Sequence, residues 1–415
     1  MEKRDILDVS NDKKKYNGSN NIKYILNELG NPQENLKIIH VAGTNGKGST
    51  CNFIANALEE NGYKVGLFTS PAIFDKTDRF QINHKNIDED LLVKYYEDIR
   101  KLEKKLGLSL HEFDMATVIA FLYFYDNKCD FVLLEVGIGG RVDSTNVIKK
   151  SLISVILKIG FDHMDILGNT LGEIAFEKAG IIKENSTLVY YPQEEEVNEV
   201  IEKVAFSKNA KVIKPDFKDI EDFSISFNSL KFNYLGNAFD LKLHSEIQRF
   251  NSVIAFEVIR ELKNNGYDIN IDKAIKGIDD TVIQGRHQLL NESPIVIVDG
   301  SHNSQAVQSL VDTLERDFPK EKFVFIVGFY KDKDYNELLK ITSGISLAYI
   351  TCDTGSQRSL SSEEAFKEAL KYSNNVYDMK TLKKAIDFGL REFSEEKLII
   401  FGSLSLVEKS IKYFS

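Results

Sequence analysis

The chain has 415 residues, of which 42% are hydrophobic and 28% are charged, and its formal net charge is −10. This length exceeds the range in which a single core keeps growing, so the sequence predicts two domains. The acidic balance argues against an extended nucleic-acid surface, because binding a phosphate backbone requires a concentrated basic face.

The amino-terminal segment and the cysteines indicate where the protein works. Residues 1–15 are charged throughout and lack the apolar core of a signal peptide, and no later run is long enough to span a bilayer. The three cysteines have no His or Cys neighbours at metal-ligand spacing. We therefore expect a soluble, cytoplasmic protein with reduced cysteines and with no membrane or nucleic-acid partner.

The first predicted unit is a strand, a loop and a helix. Residues 38–41 form a short apolar run typical of a buried strand, and the apolar spacing of 53–58 predicts a helix. At a helix start, free N–H groups attract an anion, and glycines let the backbone approach it. We expect Lys47 to reach nucleotide phosphates and Ser49 to reach magnesium. The residues of this predicted phosphate loop are Gly43, Thr44, Asn45, Gly46, Lys47, Gly48 and Ser49.

The spacing of this loop differs from the common nucleotide-binding loop. Two residues separate Gly43 from Gly46 where the common loop has four, and Gly48 stands between Lys47 and Ser49. The spacing disfavours a generic ATPase or GTPase. A tight turn without a ligand is the structural alternative, but it would need no Lys-Gly-Ser sequence.

Strand and helix patterns alternate after the loop. This alternation predicts a parallel sheet covered by helices, with ligands at the carboxyl ends of its strands. Ser70, Glu135 and His163 all end or follow predicted strands, so we expect them to share one site with the loop. The predicted strands are 65–69, 131–136, 152–159 and 187–190, and the predicted helices between them include 91–106 and 115–125.

The region 223–243 alternates with period two around a turn, which predicts antiparallel hairpins forming a small edge sheet on the first domain. Helical patterns follow at 250–263 and 271–278. Turn residues at 291–294 then precede a new apolar strand. We place the domain boundary there, between a first domain over residues 1–290 and a second over residues 294–415.

The second predicted domain again alternates strands with helices. The predicted fold class is therefore α/β: a P-loop-type, mostly parallel sheet domain with a small antiparallel edge sheet, then a smaller Rossmann-like α/β domain. A capping box at Ser361 and Glu364 announces one of the helices. The predicted strands are 295–298, 323–327, 347–351 and 398–401, and the helices are 306–316, 363–370 and 381–388.

Several different short motifs are distributed along nearly the whole chain. They are the phosphate loop, Thr69-Ser70-Pro71, residues 134–146, Asp162-His163, residues 177–181, Gly285-Arg286, residues 299–303 and Phe401-Gly402-Ser403. In this order they resemble the Mur ligase superfamily, in its folylpolyglutamate synthase and dihydrofolate synthase branch. The resemblance implies an ATP-dependent ligase that joins L-glutamate to a carboxylate of folate or its polyglutamates through an acyl phosphate. Folylpolyglutamate synthase is therefore the first choice, and dihydrofolate synthase activity on dihydropteroate, which uses the same machinery, stays open beside it. It assigns residues 1–290 to ATP binding and residues 294–415 to a glutamate-ligase domain.

The resemblance implies a catalytic group of Lys47, Glu135, His163 and Lys178. Ser70 and Glu135 would hold one magnesium with the phosphates, and Ser49 would contribute to the metal site. Glu135, His163 and Lys178 would surround a second magnesium, with Lys178 carried as a carbamate. From the residues alone, Glu135 could instead pair with Arg141, and Lys178 with Glu173 or Glu177 at the surface.

Other residues are implied to bind substrates. Asn251, Arg286, Asp299 and His302 would grip the nucleotide; the local alternative for Asp299 is a cap on the helix starting near Ser304. The acceptor contacts map onto His111, Glu112, Phe113, Asp114, Val142, Asp143 and Ser144. The chain departs from the family pattern at Ala72, at Asp114, where Glu is usual, and at Ile247, where His is usual.

The implied cofactors are ATP and two Mg²⁺ ions, with a monovalent cation allowed, and the implied partners are small-molecule substrates of a monomer. Two rival functions stay open. One is a Mur ligase of cell-wall precursor synthesis, although little chain precedes Gly43 to form its usual extra domain. The other is a nucleotide-binding regulator that has lost catalysis.

Overall fold

The computed structural model describes residues 20–72, 75–226, 229–243, 245–356 and 358–414. The chain divides into two compact units. The first unit consists of the chain through Phe223 with Lys231–Leu241 and Gln248–Thr281, and the second of Ser224–Leu230, Lys242–Ile247 and the chain from Val282 onward.

The first unit is built on an eight-stranded sheet. Its strands are β1 (Ile38–Ala42), β2 (Val65–Phe68), β3 (Phe80–Ile82), β4 (Lys85–Asn86), β5 (Phe131–Glu135), β6 (Ile153–Ile156), β7 (Thr187–Tyr190) and β8 (Lys211–Ile213). Their order is β4-β3-β2-β5-β1-β6-β7-β8. In this order, the six strands β2-β5-β1-β6-β7-β8 pair in parallel. β3 and β4 add an antiparallel edge next to β2. β1 therefore lies between β5 and β6, and the loops that follow these three strands meet at one edge.

Helices cover this sheet. They are α1 (Asn21–Glu28), α2 (Lys47–Glu60), α3 (Glu89–Leu106), α4 (Glu112–Asp126), α5 (Met164–Leu167), α6 (Leu171–Ala179), α7 (Glu195–Ser207), α8 (Ile247–Asn264) and α9 (Ile271–Asp279). One core cluster contains buried side chains of α1, α3 and α4, and another contains those of α6 and α7. Within the described ranges, no helix is both long enough and apolar enough to cross a membrane.

The predicted small antiparallel sheet is confirmed. It contains β9 (Ile220–Ser226), β10 (Ser229–Tyr234) and β11 (Asn237–Leu241) in the order β11-β10-β9. Leu235 and Gly236 connect β10 to β11 with φ of 49° and 74°, since a two-residue hairpin turn favours positive φ. Phe227, which the sequence placed in a strand, lies outside the described residues.

The second unit carries a six-stranded sheet in the order β12-β13-β17-β14-β15-β16 when its strands are numbered along the chain. The strands are β12 (Gln288–Glu292), β13 (Ile295–Val298), β14 (Phe323–Val327), β15 (Ser346–Asp353), β16 (Val376–Thr381) and β17 (Leu398–Phe401). The helices are α10 (Ser304–Asp317), α11 (Tyr335–Ser343), α12 (Ser362–Ala369), α13 (Leu382–Glu392) and α14 (Leu404–Phe414). The α/β fold class is thus confirmed, and the capping box at Ser361 is present.

The second sheet begins earlier than residue 294. β12 pairs antiparallel with β13, and the last segment of the second unit starts at Val282. β12 is an edge strand of half-buried, partly polar residues, so its sequence has the composition of a turn rather than of a buried strand.

Candidate active site

The phosphate loop connects β1 to α2. Helix α2 begins at Lys47, and Gly46 precedes it with φ of 86°, a left-handed conformation that favours glycine. The side-chain oxygen of Thr44 donates to the carbonyl of Gly160 at 3.1 Å and accepts from the N–H of Gly160 at 3.0 Å. The loop is therefore held against the segment that follows β6, with the helix N-terminus open toward an anion.

Two lysines converge on one carbonyl of this loop. Nζ of Lys47 lies 3.1 Å from the carbonyl oxygen of Gly43, and Nζ of Lys178 lies 2.9 Å from the same oxygen. Lys178 is buried, so the expectation of a surface ion pair is wrong. Glu173 instead caps α6 through Thr170.

Burial, and after it the positive charge of Lys47, lower the pKa of Lys178 from its usual 10.5 to about 7. Asp162 and Asp143 act in the opposite direction through their negative charges. A large share of this amine is consequently unprotonated near neutral pH.

Glu135 ends β5 beside the phosphate loop. Its side chain is buried, and Oε2 accepts the N–H of Ser70 at 3.2 Å. A Cβ built on Gly48 would lie 3.5 Å from the same oxygen. Arg141, the alternative partner of Glu135, binds Glu177 with Nη2–Oε1 at 2.9 Å. The structure thus brings Glu135, Ser70 and the loop together, as predicted from their positions after strands.

His163 precedes the short helix α5. It adopts φ of 51°, its N–H donates to Oδ1 of Asp162 at 3.0 Å, and its Nε2 lies 3.8 Å from Oδ2 of Asp162. Asp162 also acts on Lys178 electrostatically. The structure therefore adds Asp162 to the neighbourhood of Lys178, and its position immediately before His163 was the signal available in the sequence.

Asn251 lies against the phosphate loop. A Cβ built on Gly46 would lie 2.7 Å from Oδ1 of Asn251, and Nδ2 of Asn251 donates to Oε1 of Gln248 at 3.0 Å. Helix α8 therefore places an amide beside the loop, where the resemblance implied a nucleotide contact.

Replacing Gly46 with alanine is expected to raise the KM for ATP at least about tenfold, because the new methyl group strains φ and collides with Asn251. Gly62→Ala is the matched control, since Gly62 has φ of 88° and open space around its Cβ position. ATP saturation curves of both variants test this. Equal KM values for the two variants would contradict it.

Arg286, Asp299 and His302 lie in the second unit around Gly300. Nη1 of Arg286 lies 3.3 Å from a Cβ built on Gly300, and Nδ1 of His302 lies 2.9 Å from its carbonyl oxygen. The carboxylate of Asp299 accepts the N–H groups of His287 and Ser301 at 2.7 and 2.8 Å. Asp299 is therefore not the cap of α10.

The cap of α10 is Asn303, whose side chain accepts the N–H of Ala306 at 2.9 Å. The local alternative for Asp299 is thereby removed.

Two of the implied acceptor residues meet at Gly137. A Cβ on this glycine would lie 2.6 Å from Cζ of Phe113 and 3.2 Å from Oδ2 of Asp143. The ring of Phe113 also packs against Phe68, with centroids 5.9 Å apart. Gly137 thus permits the aromatic ring and the carboxylate to approach one another closely.

Most of the other implied acceptor residues form hydrogen bonds with residues of the same protein. Oγ of Ser144 donates to Oδ1 of the fully buried Asp114 at 2.8 Å, and the N–H of His111 donates to Oδ2 at 3.4 Å. Glu112 accepts from Arg100 at 2.6 Å. The shorter carboxylate at Asp114 thus bonds to the loop after β5. Val142 is exposed.

Across the described part of the chain, no group of three or more His, Cys, Asp or Glu side chains could hold a metal ion. The predicted magnesium ligands do not require such a group. Mg²⁺ keeps several waters and binds through one or two carboxylates together with phosphate oxygens. The carboxylate of Glu135 beside Ser70 and the loop is a donor set of this kind.

The fold and this site define a Mur ligase. The Mur ligase middle domain matches residues 41–259, and the Mur ligase glutamate ligase domain matches residues 285–403. Within that superfamily, the chain belongs to the folylpolyglutamate synthase/dihydrofolate synthase family, because curated relatives with those names match it over nearly its full length.

Two relatives and two solved structures illustrate the match. The chain is 33% identical to dihydrofolate synthase/folylpolyglutamate synthase of Bacillus subtilis, over 94% of this chain and 93% of that protein. It is 31% identical to folylpolyglutamate synthase of Lacticaseibacillus casei, over 92% and 91%. Mycobacterium tuberculosis folylpolyglutamate synthase, complexed with ADP and AMPPCP, superposes with a TM-score of 0.87 at 27% identity, covering 95% of both chains. E. coli FolC with DHPP and ADP gives 0.85 at 25% identity, covering 98% of this chain and 95% of that one.

Proposed function

We propose that this chain is an ATP-dependent ligase that forms an amide bond between L-glutamate and a carboxylate of folate, its polyglutamates or dihydropteroate. The observation that carries this proposal is the phosphate loop beside Glu135 and Ser70, in a chain that matches dihydrofolate synthase/folylpolyglutamate synthase over 94% of its length. Neither a cell-wall ligase nor a non-catalytic regulator is favoured.

The reaction must place a γ-phosphoryl group on an anionic carboxylate, so negative charge is the main obstacle. The first N–H groups of α2 would bind the nucleotide phosphates, and Lys47 would exchange the Gly43 carbonyl for a phosphate oxygen. The acceptor carboxylate takes the γ-phosphoryl group and ADP leaves. The neutral amine of glutamate then attacks the carbonyl carbon of the acyl phosphate, which forms the amide and releases inorganic phosphate and a proton. Bound Mg²⁺ supplies charge neutralisation of the phosphates, and Ser49, Ser70 and Glu135 are the residues that would hold it.

We propose direct roles for the remaining site residues. Asn251, Arg286, Asp299 and His302 would each contact the nucleotide. The placement of Asn251 against Gly46 supports its part of this assignment. The functional division into an ATP-binding domain and a glutamate-ligase domain, the monovalent cation and the monomeric state stay predictions.

We propose that Lys178 reacts with CO₂ to form a carbamate beside His163 and Glu135. The amine nitrogen bonds to carbon and releases a proton, which turns a cation into an anion. Only the unprotonated amine reacts, and the pKa near 7 leaves about nine-tenths of Lys178 unprotonated at pH 8. An ordinary lysine would be less than about 1% unprotonated at that pH.

With ¹³C-bicarbonate at pH 8, we expect a carbamate carbonyl resonance that disappears in Lys178→Met and fades as the pH drops through 7. Lys183→Met is the control, because burial also lowers the pKa of Lys183, to about 8, outside the site. A resonance that survives in Lys178→Met would refute the assignment.

The function itself is tested by incubating the protein with ATP, labelled glutamate and either dihydropteroate or tetrahydrofolate. Incorporation of label with dihydropteroate indicates dihydrofolate synthase activity, and incorporation with tetrahydrofolate or its monoglutamylated forms indicates folylpolyglutamate synthase activity. No label in any pterin and no ADP release would reject the proposal.

A further inference from the structure

His40 is a buried imidazole that the proposed reaction does not use. It lies in the middle of β1, paired with Leu134 of β5 and Ser154 of β6, and it is fully buried. Central parallel strands usually carry apolar side chains. Within the described residues, Nδ1 of His40 has no hydrogen-bond partner, which costs stability. Packing alone therefore does not account for a histidine at this position.

The other ring nitrogen begins a hydrogen-bonded chain. Nε2 of His40 lies 2.8 Å from Oγ1 of Thr145, and this hydroxyl donates to Oδ1 of Asp143 at 2.5 Å. The backbone N–H of Thr145 donates to the same oxygen at 2.9 Å, and the N–H of Ile138 donates to Oδ2 at 3.0 Å. Burial raises the pKa of Asp143, but the hydrogen bonds from Thr145 and Ile138 favour its ionised form. An ionised carboxylate only accepts, so the hydroxyl proton of Thr145 points to Asp143.

These hydrogen bonds determine the tautomer of His40. Thr145 donates its only hydroxyl proton to Asp143 in a hydrogen bond. Its oxygen must therefore accept a hydrogen bond from the N–H at Nε2 of His40. Burial lowers the pKa of His40 well below its usual value, and the charge of Lys183 lowers it further, so the ring is neutral. His40 is consequently a neutral Nε2–H donor.

We infer that His40 and Thr145 are positioning residues for the acceptor substrate, holding the carboxylate of Asp143 and the turn at 137–140 in binding orientation. The inference rests on the proposed function, in which Asp143 and Phe113 contact the acceptor. Gly137, at the start of the turn, is the point where both residues meet. The strand that leads into the phosphate loop thus also orients the acceptor loop.

Steady-state kinetics with tetrahydrofolate or dihydropteroate, whichever the enzyme uses, test the inference. Thr145→Val removes the hydroxyl and should raise the acceptor KM at least about tenfold, with the KM for ATP within about threefold of wild type. Thr145→Ser keeps the hydroxyl and should stay within about threefold. His40→Leu should behave like Thr145→Val, and His40→Gln, which retains a donor near the Nε2 position, should restore binding.

Thr313→Val is the control, because Thr313 is buried and donates its hydroxyl to the carbonyl of Ser309 within α10. If Thr145→Val lowers thermal stability as Thr313→Val does but leaves the acceptor KM unchanged, the inference is overturned. Equal increases in the KM for ATP and for the acceptor overturn it as well.

The tautomer is measured on the wild-type protein, and a variant serves only to assign the His40 signals. Long-range ¹H–¹⁵N spectra, with the His40 signals assigned from His40→Gln, should show a neutral ring protonated at Nε2. A ring protonated at Nδ1, or an imidazolium at pH 7, overturns the hydrogen-bonded chain. If the wild type joins glutamate to neither acceptor, the proposed function fails. The tautomer of His40 still decides whether the hydrogen bonds from His40 through Thr145 to Asp143 are formed.

Discussion

Replacing Lys47 with alanine is expected to lower kcat by about 10³-fold or more, with the fold retained. Its amine lies at the carbonyl of Gly43, at the helix N-terminus where the phosphates would bind. Phosphoryl transfer depends on positioning and on cations that stabilise the charge spread over the transferring group, so the loss falls on the transition state. ADP release and glutamate incorporation at saturating substrates measure the effect.

Lys64→Ala is the matched control. Nζ of Lys64 also donates to a backbone carbonyl, that of Asn127, at 2.7 Å, and Lys64 lies before β2 at the opposite end of the strand from Ser70. It should keep wild-type turnover. A Lys47→Ala enzyme within tenfold of wild type would show that the loop lysine does not serve the reaction.

The second large effect is expected for Glu135→Gln, which should lower kcat by about 10³-fold and raise the Mg²⁺ concentration needed for half-maximal activity. The amide oxygen can still accept the N–H of Ser70, so the local structure is kept while the negative charge is lost. Activity measured at increasing Mg²⁺ concentration gives kcat and the Mg²⁺ requirement. Calorimetry measures Mg²⁺ binding itself, so the loss of turnover is separated from the loss of metal affinity.

Glu261→Gln controls for removing a buried carboxylate elsewhere. Glu261 lies on α8 and pairs with Lys211 at 2.6 Å, so its loss should reduce thermal stability but leave kcat and the Mg²⁺ requirement unchanged. If Glu135→Gln retains more than a tenth of the activity, Glu135 is not a metal ligand in the reaction.

The sequence predicts the centre of each sheet well and the edges poorly. β17 is an uninterrupted apolar run and β1 is apolar apart from His40, and both strands occur within one residue of their predicted limits. β3, β4 and β12 were not predicted, because they are short or partly polar and rely on a neighbouring strand for stability. Tertiary pairing, which local pattern does not encode, decides whether such segments become strands.

Some contacts of the candidate site are likewise predictable from the sequence, and others are not. Parallel topology alone predicts that Ser70 and Glu135 approach the phosphate loop, since all follow adjacent strands. The partner of Lys178 was not predictable from its own helix, on which Glu173 and Glu177 are the acidic residues. The actual acceptor, the carbonyl of Gly43, lies 135 residues away in the chain. The bond between Ser144 and Asp114 is likewise a long-range contact.

The shared carbonyl of Gly43 has a thermodynamic consequence. Lys47 and Lys178 both donate to it, and the charge of Lys47 is one reason why Lys178 releases its proton readily. A phosphate that neutralised Lys47 would make Lys178 easier to protonate. Linkage is reciprocal, so the proton occupancy of Lys178 must change nucleotide affinity by the same factor. The charge of Lys47, held beside Lys178 at one main-chain oxygen, would thereby couple proton uptake in α6 to phosphate binding at the start of α2.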